Sequence, residues 1–172
     1  MIDAVFLNGT VGVGKSTIAN ALSALAAESG YRHAVIDLDH IRRAWPALKD
    51  DRFNHELELV NLRDVVVNYR NVGIEHFILA GVIEHATEVP RYEAALQSRG
   101  LLICRLEADA ATLRRRLRSR HADSPTELDW HLRRAGELAA ILQSAAIDHF
   151  VVDASGDAPM VTATKVKEKA GW

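Results

Sequence analysis

The chain has 172 residues, 48% of them apolar, and a single cysteine, so it can bury a core of its own without a disulfide framework. Its formal net charge of −2 excludes a global attraction to nucleic acid or anionic membrane. No apolar stretch approaches membrane-spanning length, and the N-terminal residues carry Asp3 and no basic region of a secretion signal. Eight histidines show no paired ligand spacing. The expectation is one cytoplasmic domain over residues 1–172 with no structural metal.

Apolar strand-like runs alternate with helical stretches. Ala4–Leu7 reads as a buried strand. Ile18, Ala19, Leu22, Leu25 and Ala26 recur at helical spacing after it, and Gly30 stops that helix. A second strand is expected over His33–Leu38, then a helical region from about Asp39 to Arg43 that breaks near Trp45-Pro46. A long helix follows from Asp51 to Asn71, with Leu57, Val60, Asp64, Val67 and Asn71 along one side. Phe77–Gly81 is the third strand, Pro90–Arg99 a helix ended by Gly100, and Leu101–Leu106 the fourth strand, holding Cys104 as a buried thiol. Asp109 caps a short arginine-rich helix to about Arg120. Ser124-Pro125-Thr126-Glu127 starts another, whose stripe is Leu128, Leu132, Ala135, Ala139 and Leu142. His149–Val152 is the fifth strand and Met160–Lys169 the closing helix. Five strands alternating with helices define an α/β fold, a parallel sheet covered on both faces. Ligands in such sheets lie beyond the carboxyl ends of the strands.

The densest signal is Gly9-Thr10-Val11-Gly12-Val13-Gly14-Lys15-Ser16-Thr17, which satisfies G-x-x-x-x-G-K-[ST] between a strand and a helix. The glycines Gly9, Gly12 and Gly14 let the backbone, Val13 included, curl its N–H groups toward an anion, and the helix N-terminus adds its dipole. Lys15 is expected on the β- and γ-phosphates, the Ser16 hydroxyl on Mg²⁺, and Thr17 on phosphate.

At the end of the second strand stand Asp37 and Asp39. If the strand continues through both, they face the same way. Asp39 could also cap a helix, and Arg42 lies three residues on, within reach of it. A carboxylate here can take the proton of an attacking hydroxyl or hold Mg²⁺ through water, and Arg42 can clamp an acceptor. In this pattern the chain resembles the small P-loop kinases: adenylyl-sulfate kinase, chloramphenicol phosphotransferase and gluconate kinase. Asp37-Leu38-Asp39-His40-Ile41-Arg42 is similar to the D-G-D-x-x-R of adenylyl-sulfate kinases, with Leu38 for the glycine. The serine-proline-tyrosine segment of that family is missing. The resemblance implies a P-loop NTPase fold with nucleoside-kinase-like strand order 2-3-1-4-5. It also implies ATP and Mg²⁺ as cofactors, Asp37 as general base, and Asp39 and Arg42 as magnesium or substrate contacts.

The third strand ends without the aspartate many P-loop proteins carry. Mg²⁺ would then lean on Ser16, on phosphate and on Asp37 or Asp39. Glu84 and His85, just beyond, are candidates for the acceptor pocket. Of five arginines between 114 and 120, Arg116 and Arg120 flank the inward stripe set by Leu113 and Leu117. Arg116-Leu117-Arg118-Ser119-Arg120 is similar to the R-L-x-x-R of the kinase lid. The resemblance therefore places a lid at about 109–136, with Arg116 and Arg120 on phosphate and Arg133 or Arg134 adding a contact, Arg134 being assigned to substrate. The loop Asp153–Asp157 sits where related kinases cradle adenine, and no N-K-x-D motif points to GTP.

The expected function is phosphoryl transfer from ATP to a small-molecule hydroxyl, on an antibiotic, a nucleoside or nucleotide, or a sugar acid. Two rivals are a nucleotide-operated switch with slow ATPase activity and a polynucleotide end kinase using the arginine cluster. A monomer and a homodimer are both open, and no membrane partner is expected.

Overall fold

A computed structural model describes residues 2–47, 49–51 and 53–172. Its centre is β1, Ala4–Gly9, buried at every position. A strand reads this way when helices cover both faces of its sheet. Around it the five strands are parallel and lie in the order β2-β3-β1-β4-β5, as expected. The others are β2 (His33–Asp37), β3 (His76–Ala80), β4 (Leu101–Glu107) and β5 (Phe150–Asp153). Asp37 lies opposite Ala80, and Ala80 opposite Leu7, so these strands finish along one edge. Every candidate site residue lies on or beyond that edge.

Two cores flank the sheet. On one face α1 (Lys15–Glu28) and α7 (Pro159–Ala170) bury Ile18, Ala19, Leu22, Ala163 and Val166. On the other, α3 (His55–Asn71) and α4 (Val89–Leu96) bury Leu59, Leu62, Val66, Tyr92 and Leu96. The short α2 (Leu38–Ile41) sits at the end of β2. The helices of the expected lid, α5 (Ala110–Arg120) and α6 (Pro125–Ala145), lie between β4 and β5. Among the described residues no helix is long and apolar enough to cross a membrane, and no cluster of histidine, cysteine and acidic side chains could hold a structural metal. Cys104 is fully buried, and burial raises its thiol to about 12.

Several boundaries differ from the sequence expectation, each for a physical reason. β2 stops at Asp37, whose carboxylate accepts the Asp39 N–H at 3.1 Å and so caps α2. Asp37 and Asp39 therefore do not share a strand face, and the cap is Asp37, not Asp39. The long helix starts at His55 because Asp51 accepts the His55 and Glu56 N–H groups at 2.7 and 2.8 Å from outside it. Its buried side is Glu58, Leu59, Leu62 and Val66, whereas Val60 and Val67 are exposed. The expected stripe was out of phase because a carboxylate, Glu58, occupies the inner face. In α6 the buried positions are Ala135, Leu138 and Leu142, and Ala139 faces out.

The fourth helix ends at Leu96, not at Arg99. Gln97 turns left-handed at φ 48°, and the next residues close on Asp3. That carboxylate is fully buried and accepts from the Ser98 hydroxyl at 2.7 Å and the Arg99 and Gly100 amides at 3.0 and 3.1 Å. Burial pushes Asp3 up, but those donors together hold it below its ordinary 3.8. Asp3→Ala removes the shared acceptor of the Ser98 hydroxyl and the Arg99 and Gly100 amides, together with the carboxylate that Arg70 faces, and is expected to cost about 3–5 kcal/mol in chemical denaturation. Because the folded value is depressed, the stabilisation from ionised Asp3 is present above the ordinary carboxylate value and fades as pH falls through the folded one.

Candidate active site

The phosphate loop closes between β1 and α1 through backbone conformations that glycine tolerates best. Gly14 precedes α1 at φ 104°. Gly12 has φ 82°, and a Cβ there would sit 3.0 Å from the Leu117 side chain of α5, so the loop lies directly against the lid helix. Lys15 folds back over the loop, donating to the carbonyls of Gly9 and Thr10 at 2.9 and 3.2 Å. Desolvation pulls its ammonium down to about 8, against the opposing pull of Asp39 and Asp37. A poised cation inside a ring of amides is a seat for a polyphosphate.

Ser16 donates its hydroxyl to Asp37 Oδ2 at 2.5 Å. One hydrogen bond thus ties the start of α1 to the end of β2. Both Asp37 oxygens are engaged, one by Ser16 and the other by the Asp39 amide. Asp39, expected beside Ser16 as a metal contact, turns instead to Arg42, with which it pairs closely while its side chain stays 57% exposed.

A cleft of about 780 Å³ runs from this loop to the ends of β2 and β3. Gly12, Val13, Gly14, Lys15, Ser16 and Thr17 form one end of it. Asp39, Arg42, Glu84, His85 and Arg134 line the other, and Arg116 and Arg120 the lid side. Gly9 and Asp37 lie behind the wall, bonded to residues that form it. Gly81 makes room for this geometry, since a Cβ there would lie 2.4 Å from Leu38 of α2.

The two lid arginines behave differently. Arg116 is half-buried and donates to the Val13 carbonyl and the Ala154 carbonyl, both at 2.8 Å. It bridges the phosphate loop to the segment after β5. Arg120 lines the cleft near enough to Lys15 to lower that ammonium further. Arg114, Arg115 and Arg118 are exposed, and so is Arg120 although it lines the cleft, so of the two arginines expected to face inward Arg116 alone is half-buried. Arg133 is exposed, and Arg134 lies in the cleft, paired closely with Glu84 and stacked over the Phe53 ring at 5.1 Å.

Several parts of the site gave no motif. Asn8 is fully buried and accepts the Gly9 and Ile83 N–H groups at 3.0 and 3.2 Å, holding the phosphate loop against the loop after β3. Thr10 donates to the Ala135 carbonyl of α6 at 2.8 Å. Behind the end of the cleft that Arg42 lines, Glu58 is buried and receives the Tyr92 hydroxyl at 2.5 Å and Arg42 at 3.1 Å. Burial raises both the Glu58 carboxyl and the Tyr92 hydroxyl, while Arg42 and the Tyr92 donor hold Glu58 back. His55, Trp130 and His131 complete that wall. An isolated polar residue in an apolar strand, as Asn8 is, was the one visible hint.

Fold and site together define a P-loop protein of the small-kinase architecture. The chain belongs to the AAA domain family AAA_18, whose model matches residues 5–134. A comparison of the sequence with curated proteins gave no match. Solved structures share the fold over nearly the whole chain. Shikimate kinase from Bacteroides thetaiotaomicron superposes with a TM-score of 0.68 at 17% identity, covering 100% of each chain. The Deinococcus radiodurans tunicamycin resistance protein gives 0.65 at 18%, covering 99% of this chain and 96% of its own. A gluconokinase from Sinorhizobium meliloti 1021 gives 0.61 at 16%, covering 98% and 91%.

Proposed function

We propose that this protein is an ATP- and Mg²⁺-dependent kinase that phosphorylates a hydroxyl group of a small molecule. The observation that carries this reading is one cleft that holds a phosphate nest and, within electrostatic reach of its Lys15, an exposed carboxylate, Asp39. A nucleotide in the nest would hold its β- and γ-phosphates on Lys15 and the amides of Gly12–Thr17. Arg120 faces the same region and would offset negative charge that spreads over the transferring group. Arg116, tied to Val13 and Ala154, would keep the lid docked and water out.

The Ser16 hydroxyl and the Asp37 carboxylate fit a magnesium site, being hard oxygen donors beside the nest. When bound there, the ion would neutralise phosphate charge and orient the γ-phosphoryl group. This division of labour moves the base from Asp37 to Asp39, because Asp37 is already committed through both oxygens. In the reaction the acceptor oxygen forms a bond to the γ-phosphorus, the bond from that phosphorus to the β–γ bridging oxygen breaks, and ADP leaves. The acceptor proton passes to Asp39, oriented by Arg42.

A panel of hydroxyl compounds incubated with ATP and Mg²⁺ tests the proposal. ADP release that depends on one acceptor class, with the phosphate recovered on that acceptor, is the expected result. Equal ADP release with every compound and with none would identify a nucleotide switch instead. Strongly salt-dependent binding to oligonucleotide ends would identify a nucleic-acid kinase.

A further inference from the structure

The acceptor end of the cleft carries information about what it accepts, in how its cations are already spent. Among the described residues, Arg42 and Arg134 are the guanidinium groups lining that end. Arg42 faces two carboxylates, Asp39 and Glu58. Arg134 also faces two, Glu84 and Glu137. Arg91, behind the wall, faces Glu88 of the lining and Glu56. Among the described side chains that line that end, three carboxylates, Asp39, Glu84 and Glu88, meet the two guanidiniums of Arg42 and Arg134, a formal surplus of one negative charge.

An incoming carboxylate or phosphate would have to displace an existing carboxylate from Arg42 or Arg134. It would then leave that group without its guanidinium partner, beside the other carboxylates of that end. An incoming ammonium meets the opposite situation, with Asp39, Glu84 and Glu88 on the walls. The same walls carry aromatic surface, with Trp130 packed edge-on to His131 at a centroid distance of 4.8 Å. Burial and the neighbouring His121 lower the His131 ring, so it lines the wall as a neutral surface at physiological pH. Aromatic faces attract cations and stack on flat rings.

From this geometry we infer that the acceptor is a hydroxyl compound bearing an amine cation and a flat ring, and that acids are rejected. The inference rests on the kinase reading for what happens to the acceptor, but not for what binds. Sugar acids and nucleotides drop out of the candidate acceptors, and amine-bearing ring compounds remain.

Three probes with one skeleton isolate the charge: tyramine, tyrosol and 4-hydroxyphenylacetate. Their binding to the full chain, loaded with Mg²⁺ and a non-hydrolysable ATP analogue, can be measured by ligand-observed NMR. Tyramine is expected to bind best, tyrosol less well, and the acid at least about tenfold more weakly than tyramine. Glu84→Gln removes one carboxylate and frees Arg134 on one side, so it should shrink the tyramine-to-acid ratio by about tenfold. An acid that binds wild type as well as tyramine does, a ratio unmoved by Glu84→Gln, or no binding by any of the three would overturn the inference. These readouts involve no turnover. A failure of the ADP-release panel would strike the kinase reading alone, and a failure here would strike only the acceptor class.

Discussion

Lys15→Ala is expected to weaken ATP binding by at least a hundredfold, to leave no measurable phosphoryl transfer, and to keep the fold. The Lys15 ammonium is held over the nest by the Gly9 and Thr10 carbonyls, so it needs little reorganisation to reach phosphate. Losing one or two charge-assisted hydrogen bonds of about 1.5–3 kcal/mol each gives that loss of affinity. Stability should hold or rise, because burial pulls the ammonium from its ordinary 10.5 to about 8. The sign follows from proton counting. Between about 8 and 10.5 the folded chain binds fewer protons at this site than the unfolded one. The burial penalty is therefore full below pH 8 and is relieved as pH rises toward 10.5. The alanine variant carries no such penalty at any pH. Ligand binding has the opposite slope: above pH 8 the free protein loses its cation, so ATP affinity falls, and binding takes up a proton. Calorimetry in buffers of different ionisation enthalpy measures that uptake. A variant that binds ATP like wild type would remove Lys15 from the nest.

What could be read without coordinates tracks how local the cause is. The phosphate loop was legible because a glycine turn between a strand and a helix is fixed within nine residues. The strand order came from resemblance and the alternation of elements, and the sheet bears it out. Arg116 was placed inward by helical phase alone, and it is half-buried where Arg115 is exposed. The readings that failed depended on partners far along the chain. The side of α3 that carries Val60 and Val67 faces out, and the buried side includes Glu58, a carboxylate that Arg42 and Tyr92 satisfy from other elements. The end of α4 was misplaced because nothing local shows that Asp3, ninety-five residues earlier, collects the Ser98 hydroxyl. The acceptor end was legible only as a list of residues. Its character lies in pairings such as Arg134 with Glu84, fifty positions apart, which periodicity does not encode.

Asp39→Asn and Asp37→Asn should separate two functions that the Asp37-Leu38-Asp39 string leaves entangled. Asparagine at 39 cannot take a proton from the acceptor, and it weakens the pairing that orients Arg42. We expect kcat to fall by about 10²- to 10⁴-fold, the range for loss of a general base, with the KM for ATP little changed. Asparagine at 37 keeps an oxygen to accept the Asp39 amide, so α2 should still form. It loses the negative charge against the Ser16 hydroxyl, which is where the magnesium demand would be felt. The Mg²⁺ concentration for half-maximal rate should rise about tenfold or more, with most of kcat recovered at high Mg²⁺. Steady-state rates measured across a magnesium titration distinguish the two patterns directly. If Asp37→Asn loses its rate at every magnesium concentration while Asp39→Asn keeps it, Asp37 is the base after all. Asp39 would then serve only to hold Arg42.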